Sequence, residues 1–124
     1  MSKKEKTVLE EFERWSKEVK RGAASLAILA VLEQEPAYGY EIVKRLSEKV
    51  SFLKLEQGTV YPLLRRLADK RGLLVAEWNY EDPTKPKKYY SLTPEGTKAL
   101  EMMTKTWSVL SAEMNNLLEG DGLQ

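Results

Sequence analysis

A mainly α fold carrying one small β-hairpin is what this chain of 124 residues predicts. Three observations predict it. Most of the chain repeats its apolar residues at helical spacing, as Val60, Leu63, Leu64 and Leu67 do, which gathers them on one face. The period changes after Gly72: Leu73 to Tyr80 and Lys88 to Leu92 are rich in β-branched and aromatic residues and flank a polar loop containing Pro83 and Pro86, the pattern of a hairpin. A final segment returns to helical spacing as a heptad seam. A buried helix, a second helix, a short connection, a helix with a polar outer face and then a hairpin with a basic tip make a winged helix-turn-helix.

The elements follow in order. Residues 5–21 read as a helix whose Val8, Phe12, Trp15 and Val19 line up along an otherwise charged segment; such a stripe needs burial, on the chain's own core, on a partner, or on both. Arg21-Gly-Ala-Ala-Ser reads as a break, with Ser25 or a neighbour as the N-cap of the next helix. Leu26 to Glu33 is apolar nearly all round, which marks a buried helix, and Pro36 ends it. A third helix is expected from about Gly39 to Val50, with Ile42, Val43, Leu46 and Val50 facing inward. Ser51 to Leu55 connects it to the helix over Glu56–Gly72. There Pro62 is read as tolerated close to the N-terminus, Lys70 and Arg71 suit the negative end of the dipole, and Gly72 suits a left-handed C-cap. Thr93-Pro-Glu-Gly announces the last helix with an N-cap, a proline at the first position and an early acid. It is expected to run to about Leu118, with Gly120 just past its end and Asp121 to Gln124 frayed. Its seam is Leu100, Met103, Trp107, Leu110, Met114 and Leu117, spaced 3, 4, 3, 4 and 3.

Composition narrows the chemistry. The chain has no Cys and no His, so the usual zinc and copper sites, disulfides and imidazole- or thiolate-based catalysis are excluded. No carboxylate pair stands out, and neither an enzyme nor a metal or other cofactor is expected. No apolar run reaches the roughly 18 residues of a membrane span, and the basic start leads into an amphipathic pattern instead of a signal core; a cytoplasmic protein is expected. Net charge is +1, but residues 1–93 carry 18 Lys/Arg against 14 Asp/Glu (+4), while residues 94–124 carry 2 against 5 (−3). That balance suits a few phosphates held at chosen places.

The motifs Ala37-Tyr-Gly-Tyr-Glu-Ile, Gln57-Gly-Thr-Val-Tyr-Pro-Leu-Leu-Arg-Arg-Leu, Gly72-Leu-Leu, Trp78 and Lys87-Lys-Tyr-Tyr-Ser-Leu-Thr-Pro-Glu-Gly, followed by a long helix, resemble the PadR family of bacterial and archaeal transcriptional regulators. The resemblance covers roughly residues 23 to 118. It departs from the family pattern in a longer N-terminal helix and in Ala68-Asp-Lys-Arg-Gly where Leu-Glu-Lys-Glu-Gly is usual. The resemblance implies a homodimeric repressor on double-stranded DNA with a palindromic operator, relieved in some members by a small aromatic or cationic effector. It implies residues 1–22 as a helix assisting dimerisation, 23–93 as the DNA-binding domain, and 94–120 as the dimerisation helix. The expected dimer interface is then Phe12 and Trp15 with Leu100, Met103, Trp107, Leu110, Met114 and Leu117.

Gln57, Thr59, Tyr61 and Arg65 form the expected groove-facing set, since the N-terminal half of a recognition helix meets base edges and Gln and Arg suit A and G; Arg66 is expected to bind DNA with them. The plainer roles are capping for Gln57 or Thr59 and ring packing for Tyr61. Tyr38 and Tyr40, at a helix start, suit phosphates; otherwise their rings pack on the buried helix. Lys85, Lys87 and Lys88 suit backbone contact from the wing or a solvated charge run. Trp107 is expected as interface packing or, paired across a two-fold axis, as an aromatic slot for a flat effector, with Met103 and Met114 making the surface adaptable. The alternative to a DNA-binding regulator is a winged-helix module that binds protein and not DNA.

Overall fold

A computed structural model of the chain describes residues 1–120; residues 121–124, expected to fray, lie outside the described part. Helix α1 runs from Lys3 to Gln34, strand β1 is Ala37–Tyr38, and α2 is Gly39–Lys49. A single 3₁₀ turn, Ser51–Leu53, leads to α3, Gln57–Arg65, which widens into a π turn over Arg66–Lys70. Strands β2 (Leu74–Asn79) and β3 (Lys87–Leu92) form the hairpin, and α4 spans Pro94–Leu118.

The break expected at Arg21–Ser25 is absent: α1 is one helix of 32 residues. Gly22 faces open space, so its cost is only the intrinsic penalty of about 1 kcal/mol. Ala24, Ile28, Leu29 and Leu32 on the following turns are buried in the core and hold the helix through it. Ser25 is thus interior. The cap is Ser2, whose Oγ accepts from the Glu5 N–H at 3.1 Å while Glu5 Oε1 accepts from the Ser2 N–H at 3.4 Å, a reciprocal capping box.

The core is a single cluster under α1, built from Ile28, Leu29 and Leu32 with Ile42 and Leu46 of α2, Val60, Leu64 and Leu67 of α3 and its π turn, Leu74, Tyr90 and Leu100. Each such aliphatic side chain contributes about 1.5–3 kcal/mol by leaving water. The sheet has three strands in the order β1-β3-β2, all antiparallel, one more than the expected hairpin supplies. The two residues of β1 are too few for alternation to register in sequence; they pair because β3 passes beside them, Ala37 with Tyr90 and Tyr38 with Tyr89.

The third helix from the N-terminus ends as expected on Gly72, with φ at 67° and the Leu73 N–H reaching back to the Leu67 carbonyl at 2.9 Å. Two details differ from an uninterrupted α-helix. The Arg71 N–H bonds the Arg66 carbonyl, five residues back, which widens the last turn. Pro62 is the sixth helical residue, beyond the turn where donors lack partners; it cannot bond the Gly58 carbonyl, and both residues are exposed, so water is available to that carbonyl.

Helix α4 begins as the sequence predicts. The Thr93 Oγ1 accepts from the Gly96 N–H at 3.0 Å and donates to the Gly72 carbonyl at 2.7 Å, tying the helix start to the end of the π turn. Its seam divides. Leu100, expected at the dimer interface, is only 3% exposed because α4 packs its first turns on the chain's own core, and Met103 is half-buried there. Trp107, Leu110, Met114 and Leu117 stand exposed.

Candidate nucleic-acid interface

The exposed side of α3 carries Gln57, Thr59, Arg65 and Arg66. Helix α3 starts from Glu56, whose carbonyl receives the Thr59 and Val60 N–H groups at 3.0 and 2.9 Å, and no side chain caps it. Capping therefore does not occupy Gln57 or Thr59, and among the described residues neither side chain has a hydrogen-bond partner. Neither arginine has a carboxylate within 4.0 Å among those residues. Tyr61 differs. Its ring lies against Gly39, where an added Cβ would come within 2.7 Å of Cε1. The glycine between the two tyrosines thus makes room for the Tyr61 ring, and α2 starts tight against α3. Packing accounts for part of this tyrosine.

Tyr38 closes β1 and precedes α2. Its N–H donates to Glu41 Oε1 at 3.2 Å, which satisfies one donor at the helix start. The Tyr38 ring meets Tyr89 edge-on at 5.4 Å between centroids and stacks on Tyr40 at 6.4 Å. Lys87 Nζ stands 4.6 Å from the same ring centre. Tyr40 is 58% exposed and is not packed into the core. Pairing of β1 with β3 thus builds a cluster of Tyr38, Tyr40, Tyr89 and Lys87 beside the start of α2. Tyr89 is a member that sequence reasoning misses. Alternation along β3 places it on the Lys87 side, but its meeting with Tyr38 depends on the unforeseen strand.

The three wing lysines separate. Lys87 and Lys88 are adjacent in β3 and point to opposite faces: Lys87 lies over Tyr38, while Lys88 Nζ sits 5.7 Å from the Tyr90 ring centre. Lys85 is in the loop, its N–H bonded to the Asp82 carbonyl at 3.0 Å. That loop is folded locally. Thr84 gives both its hydroxyl (2.7 Å) and its N–H (3.1 Å) to Asp82 Oδ1. The Thr84 hydroxyl bond first, then its N–H, hold the Asp82 carboxyl below its ordinary pKa, with a smaller contribution from Lys87.

On another side, Phe12, Trp15 and Val19 of α1, Phe52 of the 3₁₀ turn and Trp107 of α4 line an apolar hollow of about 580 Å³. The α1 stripe is exposed on its own chain at Val8, Phe12, Trp15 and Val19. Among the described residues no group of three His, Cys, Asp or Glu could hold a metal ion, and no helix is long and apolar enough to cross a membrane.

Comparison with known proteins bears on the fold and the family. The model of the transcriptional regulator PadR-like family matches residues 28–102. A PadR family transcriptional regulator from Eggerthella lenta is 37% identical, with a TM-score of 0.74 over 91% of this chain and 96% of that one. A PadR family transcription regulator from Clostridium difficile is 33% identical, with a TM-score of 0.70 over 77% of this chain and 98% of its own. Bacillus subtilis PadR in complex with operator DNA is 28% identical, with a TM-score of 0.59 over 64% of this chain and 44% of that one.

Proposed function

This chain belongs to the PadR-like family of transcriptional regulators, which are not enzymes, and from that premise we propose that it is a homodimeric repressor that reads a palindromic operator in the cytoplasm. The observation that carries the reading is the outer face of α3. Gln57, Thr59 and Arg65 stand exposed there without partners among the described residues, flanked by the Tyr38–Tyr40–Tyr89–Lys87 cluster. Gln and Arg offer the bidentate geometry that adenine and guanine edges accept. Tyr38, Tyr40, Tyr61, Arg66, Lys85 and Lys87 serve phosphates and orientation, while Lys88 lies on the other face of β3 over Tyr90 and is outside that set. The proposed division of labour is residues 1–22 assisting dimerisation, 23–93 binding DNA and 94–120 pairing the two copies. Phe12, Trp15, Trp107, Leu110, Met114 and Leu117 support the pairing, because a row of exposed large apolar side chains on two helices marks an interaction surface. Two α3 helices held about 34–36 Å apart meet successive major grooves.

Arg65→Ala is expected to weaken operator binding by about 1–3 kcal/mol and to relax the preference at one base pair. Gel shifts against systematically varied operators measure both. Wild-type affinity in the variant removes Arg65 from the reading set. If wild type shifts no DNA at low salt, the alternative of a protein-binding module takes its place.

The hollow under Trp107 is the proposed effector site, suited to a flat aromatic or cationic compound that meets the Trp15, Phe52 and Trp107 rings. Such a compound is expected to quench tryptophan fluorescence, with Trp15→Phe and Trp107→Phe each removing part of the quenching. Quenching that persists in full in Trp107→Phe rejects this site.

A further inference from the structure

A second cationic surface lies in the cleft between α1 and α3. Lys17, Lys20 and Arg21 of α1, Lys54 before α3 and Arg66 after it line a space of about 520 Å³, with Thr59 on its wall. Among the described residues no Asp or Glu lines the cleft, and none of the five cations has a carboxylate within 4.0 Å. Lys17, Lys20 and Arg21 sit three and four residues apart on one helical face, a spacing at which like charges repel. Lys54 adds a backbone observation. It is the one non-glycine residue with positive φ among those described, at 50°, a conformation that glycine or asparagine adopts at less cost. Lys20 is set at the cleft edge by the Phe52 ring, 5.4 Å from its Nζ. Repulsion and local strain converge on one concave surface, and a polyanion relieves the first.

We propose that this cleft clamps the sugar–phosphate backbone of DNA, so that the long N-terminal helix is a DNA-contacting element as well as a pairing one. The proposal rests on the DNA-binding reading of α3 and extends it. Thr59 and Arg66 belong both to the outer side of α3 and to the cleft. A backbone that meets α3 on its Thr59–Arg66 flank therefore has Lys54, Lys17, Lys20 and Arg21 across the same cleft. Such contacts carry no sequence information and add affinity that falls with salt.

The test uses the full chain and a Lys17→Ala/Arg21→Ala variant, both changes lying on the exposed side of α1. Binding is followed by fluorescence anisotropy, from about 50 to 200 mM salt, on two duplexes: the region upstream of the protein's own coding sequence, and a scrambled version. The expected result is a plot of log affinity against log salt that is shallower by about 0.9 for each phosphate that the variant no longer neutralises, with both duplexes weakened by the same factor. An unchanged slope in the variant, beside a wild type that binds, overturns the clamp and leaves the α3 reading standing. A weakening confined to the upstream duplex also overturns it, since that is base readout. A wild type that binds neither duplex at the lowest salt overturns both readings together.

Discussion

Alanine at Gly96 is expected to destabilise the fold by about 3 kcal/mol, the upper end of what overpacking a close contact costs. Glycine inside a helix is normally worth replacing, by about 0.5–1 kcal/mol. Here the position reverses the sign. A Cβ at Gly96 would stand 2.0 Å from the Leu73 carbonyl oxygen and 3.0 Å from its carbon. That carbonyl is backbone and already fixed by the Thr93 N–H at 3.1 Å, so no side-chain rotation makes room. Relief requires α4 to lift from the end of the π turn, which would weaken the Thr93 cap and the burial of Leu100. Gly22→Ala is the control: Gly22 is also helical, nothing lies within 4 Å of its Cβ position, and alanine there is expected to stabilise. Urea midpoints of the two variants should move in opposite directions. A Gly96→Ala midpoint at or above wild type contradicts the contact.

Trp107→Glu combined with Leu110→Glu is expected to leave the chain folded but monomeric, and to reduce operator affinity about 100-fold or more. Both side chains are 51% exposed on their own chain, so the substitutions cost the fold little, whereas two facing carboxylates in each copy oppose pairing in an apolar seam. The fall in affinity follows from linkage: joining two half-site readers makes the second binding event intramolecular, a gain of about 10²–10⁴. Sedimentation gives the oligomeric state and gel shifts the affinity. A variant that stays dimeric with unchanged affinity moves the interface elsewhere.

These two positions differ in how far the sequence reveals them. Trp107 and Leu110 are legible because a heptad seam is a local periodicity. The same is true of the Thr93 cap, the Gly72 terminus, the start of α2 at Gly39 and the two hairpin strands, each written in adjacent residues. Gly96 looks like an incidental glycine in the first turn of a helix; what makes it necessary is the Leu73 carbonyl, more than 20 residues earlier in the chain. The expected break at Arg21–Ser25 shows the opposite failure. A local signal, one glycine three residues before a serine, yields to the packing of Ile28 and Leu29 under the whole fold.

For the candidate site the division is the same. The sequence by itself determined that α3 has one apolar and one polar face, that a wing follows it and that the last helix carries an apolar heptad seam. These depend on periods of 3.6 and 2, which contiguous residues state directly. Tertiary structure decided that Leu100 belongs to the chain's own core, that Tyr38 meets Tyr89 and Lys87, and that Lys17, Lys20 and Arg21 share a cleft with Lys54 and Arg66. Each of those is a meeting of segments far apart in sequence, fixed by how a continuous α1 and the β1–β3 pairing set the elements side by side, and no local pattern carries that information.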